Sequence, residues 1–210
     1  MTHTLHRQGT VESLSRDYPM VTVACHAVPE SVKGAGPKIA KFLEIAKKNG
    51  AINVGDMKQG SIYFDNLDIN KICDNVSDTT IAECVFDNLE GVKKTLLELK
   101  ELDMGLPMVV SGLLEPVSKM LKEIGLEVHT VAQSLGVWGK TELLPRKEVL
   151  EITTMCGHHM VSPRLVEKFI DDIKKGKNTP EKAAKVLTKQ CCCGIFNEHR
   201  TAELLRKACS

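Results

Sequence analysis

The sequence predicts an α/β fold: a mostly parallel sheet with helices on its faces, followed by a small helical C-terminal portion. Short, β-branched apolar runs alternate with segments of helical apolar spacing as far as about residue 135, and only short links join them. Beyond that point the strand-like runs stop and helical spacing alone recurs. The chain has 210 residues, 42% of them hydrophobic, enough to bury a real core. Residues 1–135 therefore read as the α/β domain, and 136–210 as a helical, cysteine-bearing portion packed on it.

In order, residues 19–27 (PMVTVACHA) read as a strand. Residues 37–49 read as a helix with Ile39, Phe42, Leu43 and Ala46 on one side. Residues 51–60 and 61–65 are short strand-like pieces, and 65–78 a polar loop with one turn of helix. Residues 80–86 form a strand, after which Asp87 or Asn88 caps a helix whose apolar face carries Val92, Leu96, Leu99 and Leu102 or their neighbours. A second unit repeats the pattern: a strand at 107–111, a helix at 116–124 with Val117, Met120, Leu121 and Ile124 inward, and a strand at 127–131. Right-handed crossovers between such units give a parallel sheet. Residues 134–154 then form a loop around the only tryptophan and a short helix. Ser162-Pro163, Thr179-Pro180 and Asn197 each open a further helix.

Charge and composition exclude several functions. Against 28 Lys+Arg stand 27 Asp+Glu, a net charge of +1, so no global field is present to hold a nucleic acid. Apolar runs are short, and residues 1–18 carry His3, His6, Arg7, Glu12, Arg16 and Asp17 without an apolar core. Neither a membrane span nor a secretory signal is expected, and the expected location is cytoplasmic. Eight cysteines in a reducing compartment read as metal ligands or redox thiols before disulfides.

The chemistry concentrates in two glycine-punctuated loops, Met155-Cys156-Gly157-His158-His159 and Gln190-Cys191-Cys192-Cys193-Gly194, each a few residues before a helix start. Helix N-termini and tight glycine turns aim N–H groups at sulfur and favour thiolate. Cys156 and His158 form a C-x-H pair, and Cys191 and Cys193 a C-x-C pair. These four donors suit tetrahedral zinc or an iron–sulfur cluster, with Cys192 or His159 as substitutes. No C-x-x-H completes a Rieske pattern. The spacing of 34 residues between Cys156 and Cys191 matches only the first half of a heterodisulfide-reductase cysteine motif. Cys25 and Cys84, on predicted strands, read as small core residues.

Weaker signals lie in the α/β part. Ser111 and His129 follow predicted strands at the carboxyl edge where parallel sheets bind ligands, and the loop from Ser134 could close over them with Trp138 as an apolar wall. Ser111, His129, Ser134 and Trp138 are therefore the expected small-molecule site. Lys33 to Pro37 precedes a helix but lacks a dinucleotide fingerprint and reads as a plain turn.

Thr154 to Ser162 (TMCGHHMVS) and Cys191 to Arg200 (CCCGIFNEHR) resemble an uncharacterised cysteine-motif family of anaerobic bacteria and methanogenic archaea. Its patterns run C-G-H-G-M-V-S and C-x-C-G-x-F-N-x-x-R, with an N-terminal H-R-x-G and a central S-L-G-x-W-G. The match covers Cys156, His158, Cys191, Cys193, Asn197 and Arg200, together with His6 to Gly9 and Ser134 to Gly139. It departs at His159, where the pattern has glycine, and at the extra Cys192, which favours Cys191 and Cys193 as the functional pair. The resemblance implies an anaerobic cytoplasm in which oxygen-sensitive iron–sulfur chemistry is feasible.

Three functions follow as expectations. The first is a metal-binding protein, iron–sulfur before zinc, in electron transfer or metal and sulfur cofactor handling, with redox or cofactor-assembly proteins as partners. The second is a metal-free thiol enzyme for disulfide exchange or sulfur transfer, acting through Cys191 or Cys193. The third is a structural zinc protein that serves assembly.

Overall fold

The computed structural model describes residues 4–64 and 66–210. Met1 to His3, at the start of the segment read as lacking a leader, and Asp65, at the end of a predicted strand piece, lie outside them. The helices are α1 (Val11–Leu14), α2 (Pro29–Val32), α3 (Gly36–Lys48), α4 (Ile69–Asp74), α5 (Leu89–Leu102), α6 (Leu114–Glu123), α7 (Lys147–Thr153), α8 (Pro163–Lys174), α9 (Pro180–Thr188) and α10 (Glu198–Cys209). The strands are β1 (Tyr18–Thr22), β2 (Asn53–Asp56), β3 (Gly60–Ser61), β4 (Ala82–Phe86) and β5 (Met108–Val110). No helix among the described residues is long and apolar enough to cross a membrane.

The sheet corrects the expected class. Its order is β3-β2-β4-β1-β5, and every neighbouring pair is antiparallel. Both β-α-β crossovers are present, since β1 and β2 each run antiparallel to β4, and β4 and β5 each run antiparallel to β1. The two units interleave, however, so each helix-linked pair has a strand of the other unit between its members, which is the split β-α-β arrangement. Alternation along a chain fixes the direction of the linked strands and leaves open what lies between them.

Local signals place the helices. Asn88 caps α5 by accepting from Gly91 N–H at 2.8 Å, and Asp103 ends it in the left-handed region. At the start of α3, the Asp78 carboxylate accepts from Gly34 and Gly36 N–H at 2.9 and 2.7 Å. The turn at Lys33 to Pro37 is therefore filled by the chain's own carboxylate, whose pKa these bonds lower.

Two other strand expectations are corrected. β1 stops at Thr22, which leaves Cys25 exposed rather than in the core. Residues 127–131 alternate as a strand would, yet they pair with nothing in the sheet and run as coil, with Val128 and Val131 exposed. β5, three half-buried residues long, remains the sheet edge.

The faces of the sheet differ. Met20, Val54, Cys84 and Phe86 point toward α3, α4, α5 and α6 and join their apolar core, with Ile39, Phe42 and Leu43 from α3. Neighbouring residues necessarily point the other way. On that face Val21, Gly55, Glu83 and Val85 are buried, and the cysteine loops lie against it. A second core joins α7 to α10 through Ile152, Val166, Ile170, Leu187 and Leu205, with Cys156, Cys191 and Cys193 inside it.

Candidate functional site

The CCCG loop is set on the sheet by backbone packed against backbone. A Cβ on Gly194 would stand 2.5 Å from Gly55 N, and one on Gly55 would stand 2.8 Å from Cys193 O. Gly194 also has φ +93°, a conformation open to glycine. Ser61 Oγ donates to Cys191 O at 3.3 Å, and Asn53 Nδ2 donates to Phe196 O at 3.4 Å. Leaving the loop, the chain enters α10 through Asn197, whose Oδ1 accepts from Arg200 N–H at 2.8 Å.

A buried ionic knot anchors this point to the N-terminal segment. Arg7 donates to both oxygens of Asp17 at 2.6 and 2.5 Å and to Ile195 O at 2.6 Å. Arg200 donates to Asp17 Oδ2 at 2.9 Å, to Gln8 O at 2.6 Å and to Ser13 Oγ at 2.9 Å. Asn197 Nδ2 reaches Arg16 O and Asp17 Oδ1. The side chains of Asp17 and Arg200 are 0% and 1% exposed. Desolvation lowers the Arg200 pKa, and Asp17 offsets this only in part. A Cβ on Gly9 would run into Arg200 Nη2, so a side chain there would push the guanidinium off its partners. Thus the H-R-x-G and F-N-x-x-R patterns are two halves of one structure, which holds the cysteine loop from behind.

The other loop arrives from α7. Cys156 and His159 continue its turn through N–H bonds to Thr153 O and Cys156 O, both 3.1 Å. His159 has φ +57° and is exposed. This left-handed position explains why glycine suits the motif there, and it turns His159 away as a donor.

The structure brings Cys156, His158, Cys191 and Cys193 together. The three thiols are fully buried. Cys156 lies near enough to Cys191 for each to shift the other's pKa, Cys191 Sγ lies 3.6 Å from Cys193 Sγ, and Cys193 Sγ lies 3.8 Å from His158 Nδ1. Main-chain N–H groups of His158 and Met160 point at Cys156, that of Gly194 at Cys191, and that of Ile195 at Cys193. Cys192, between two inward thiols, turns outward and is half-buried.

The thiols perturb one another. Cys156 is raised by Cys191 and by burial. Cys191 is lowered by Cys156, but Cys193 and burial outweigh this. Cys193 is lowered by Cys191, while burial and the Glu83 carboxylate outweigh this. The net shift is upward at every sulfur, so the thiolate expected from the helix starts does not form: burial and thiol-to-thiol bonding outweigh the N–H groups.

Glu83 escaped the sequence reading. Its signal was a single carboxylate inside the apolar run Ile81-Ala82-Glu83-Cys84-Val85-Phe86. The other cysteines stand apart from the cluster: Cys84 faces the helix-side core, Cys73 Sγ donates to Ala40 O at 3.7 Å, and Cys209 Sγ donates to Ile170 O at 3.6 Å.

The second expected site rests on a common carboxyl edge, which an antiparallel sheet does not have. Ser111 is buried and donates to Thr4 Oγ1 at 2.6 Å. His129, Ser134 and Trp138 lie on exposed coil, and their hydrogen bonds are local, to Thr130, Gly136 and Leu135. Trp138 is 81% exposed, the reverse of a pocket wall. Comparison with protein-family models, curated proteins and solved structures gives no match.

Proposed function

We propose that the two cysteine loops hold a metal ion, with Cys156, Cys191 and Cys193 as sulfur donors and His158 as the fourth donor. The protein would serve redox chemistry or the handling of a metal or sulfur cofactor. One observation carries this reading: three fully buried thiols from two loops lie together beside His158, with main-chain N–H groups aimed at each sulfur. Such thiols are poor nucleophiles because they keep their protons at neutral pH. As ligands they are well placed, since a cation can displace those protons and the N–H groups support the thiolates that result.

Spacing favours one ion over a cubane cluster. Bonds of about 2.3 Å put two sulfurs on one tetrahedral zinc roughly 3.8 Å apart, close to the 3.6 Å between the sulfurs of Cys191 and Cys193. In a cubane iron–sulfur cluster each iron takes a single cysteine, so the ligand sulfurs stand farther apart. Among the described residues no three His, Cys, Asp or Glu side chains are already arranged around an ion, so binding would turn the adjoining donors inward. Resemblance to the motif family of anaerobes supports a cytoplasmic setting and redox or cofactor-assembly partners. A purely structural zinc is the second reading, favoured by the position of the thiols between the sheet and the C-terminal helices.

Anaerobic purification of the full chain, followed by metal analysis and an absorption spectrum, tests the proposal. The expected result is one zinc or iron ion per chain after loading. Broad visible absorption with acid-labile sulfide would replace the single ion by a cluster. No uptake of metal, together with rapid alkylation of Cys191 or Cys193 at neutral pH, would overturn the proposal in favour of the thiol enzyme.

A further inference from the structure

Glu83 lies on β4 in register with Gly55 and Val21, on the face that receives the cysteine loop. Its side chain is fully buried. Gly55 beside it carries no side chain, and Cys193 O occupies that space. The Glu83 carboxylate is thus buried beside Cys193, whose thiol its charge raises. Burying a carboxylate in a central strand is costly, and its field in such a setting is much less screened than at the surface.

We infer that Glu83 is the specificity-determining residue of this centre, favouring a divalent ion such as zinc or ferrous iron over a monovalent one such as cuprous copper. This rests on the metal reading above. The argument is electrostatic. Coulomb energy scales with the charge of the ion, so a fixed carboxylate beside the site stabilises a divalent ion twice as much as a monovalent ion at the same place. The thiolates alone give no such preference, because soft cuprous ions bind sulfur avidly. A buried carboxylate shifts the balance toward the higher charge without having to touch the ion.

The test compares the full-length wild type with Glu83→Gln, which keeps the shape and removes the charge. Affinities for Zn²⁺ and, separately, Cu⁺ are measured anaerobically by competition with chromophoric chelators. Zinc affinity is expected to fall by about 10–100-fold, the range for a residue that supports metal ligands. The logarithm of the cuprous loss should be half that of the zinc loss. Loss of zinc affinity alone would also support the inference, with Glu83 as a direct oxygen donor. Equal losses for both ions, or no change in zinc affinity, would overturn it and leave Glu83 a packing residue. Glu83→Asp, which retains the charge one methylene farther away, should show a smaller zinc loss in the same two-to-one proportion, and supplies the readout if the Gln variant does not fold. A wild type that binds neither ion would instead refute the metal reading itself, before any variant is compared.

Discussion

The two faces of the sheet are built from the same strands and do opposite things. On the helix side, Cys84 stands among Met20, Val54 and Phe86 and behaves as a small apolar residue, its thiol pushed up mainly by burial. One residue earlier, Glu83 turns to the other face and meets Cys193. There the packing is backbone on backbone at Gly55 and Gly194, and the anchor is the buried Arg7–Asp17–Arg200 group. The helix side is held by area removed from water and tolerates changes of shape. The loop side is held by close approach and paired charge, which a single atom can disturb.

The largest expected effect breaks the loop side at its anchor. Asp17→Ala leaves two guanidinium groups buried without their carboxylate and should cost about 3–5 kcal/mol, measured by urea unfolding, with loss of any metal bound by the loops. Replacing Gly194 by Ala should cost roughly 1–3 kcal/mol, from a left-handed backbone and a Cβ driven into β2. The helix-side counterpart, Cys84→Ala, removes one sulfur from a core and should cost about 1 kcal/mol, with metal content unchanged.

A pH titration sharpens the comparison. Cys156, Cys191 and Cys193 on one face and Cys84 on the other all have folded-state pKa values above the ordinary 9.0. Half-buried Cys73 is pushed up to about 11 by burial and by Glu44 and Asp74. The folded protein therefore holds protons that the unfolded chain releases. The stabilisation is complete below pH 9 and is lost as pH rises past it, through about 11 for Cys73. Unfolding of the metal-free protein followed from pH 8 to about 11 should show this decline. Metal should flatten the loop-side share, because it displaces the same protons and makes binding itself release them.

What the sequence made legible was local. Asn88, Thr179 and Asn197 cap helices through contacts within three residues, and such signals survive any tertiary arrangement. The two cysteine loops were recognisable by donor type, since adjacent cysteines cannot all pack inward, and Cys192 does turn out. Interleaving of the two β-α-β units was not legible, because strand partners are set by packing between units distant in sequence. Glu83 was missed because a carboxylate in a strand reads as a solvent-facing residue until something is known to cover that face. Residues 127–131 carried a strand pattern with no edge to complete it.

The smallest effect belongs to that exposed coil. His129→Ala and Trp138→Ala should change stability by no more than about 0.5 kcal/mol and leave metal content alone. A larger loss of either would show that this coil is tied to the cysteine loops.

The central claim is that thiols from two loops form one centre on one face of the sheet, and serine replacement tests it most directly. Metal content is measured per folded chain after anaerobic loading of Cys156→Ser, Cys191→Ser, Cys193→Ser, Cys192→Ser and Cys84→Ser, with circular dichroism as the check on folding. Serine is a harder and far less acidic ligand. The first three replacements should each remove most of the metal, whereas Cys192→Ser and Cys84→Ser should retain it. Equal loss in Cys84→Ser and Cys191→Ser, or full retention in Cys156→Ser, would contradict a shared centre.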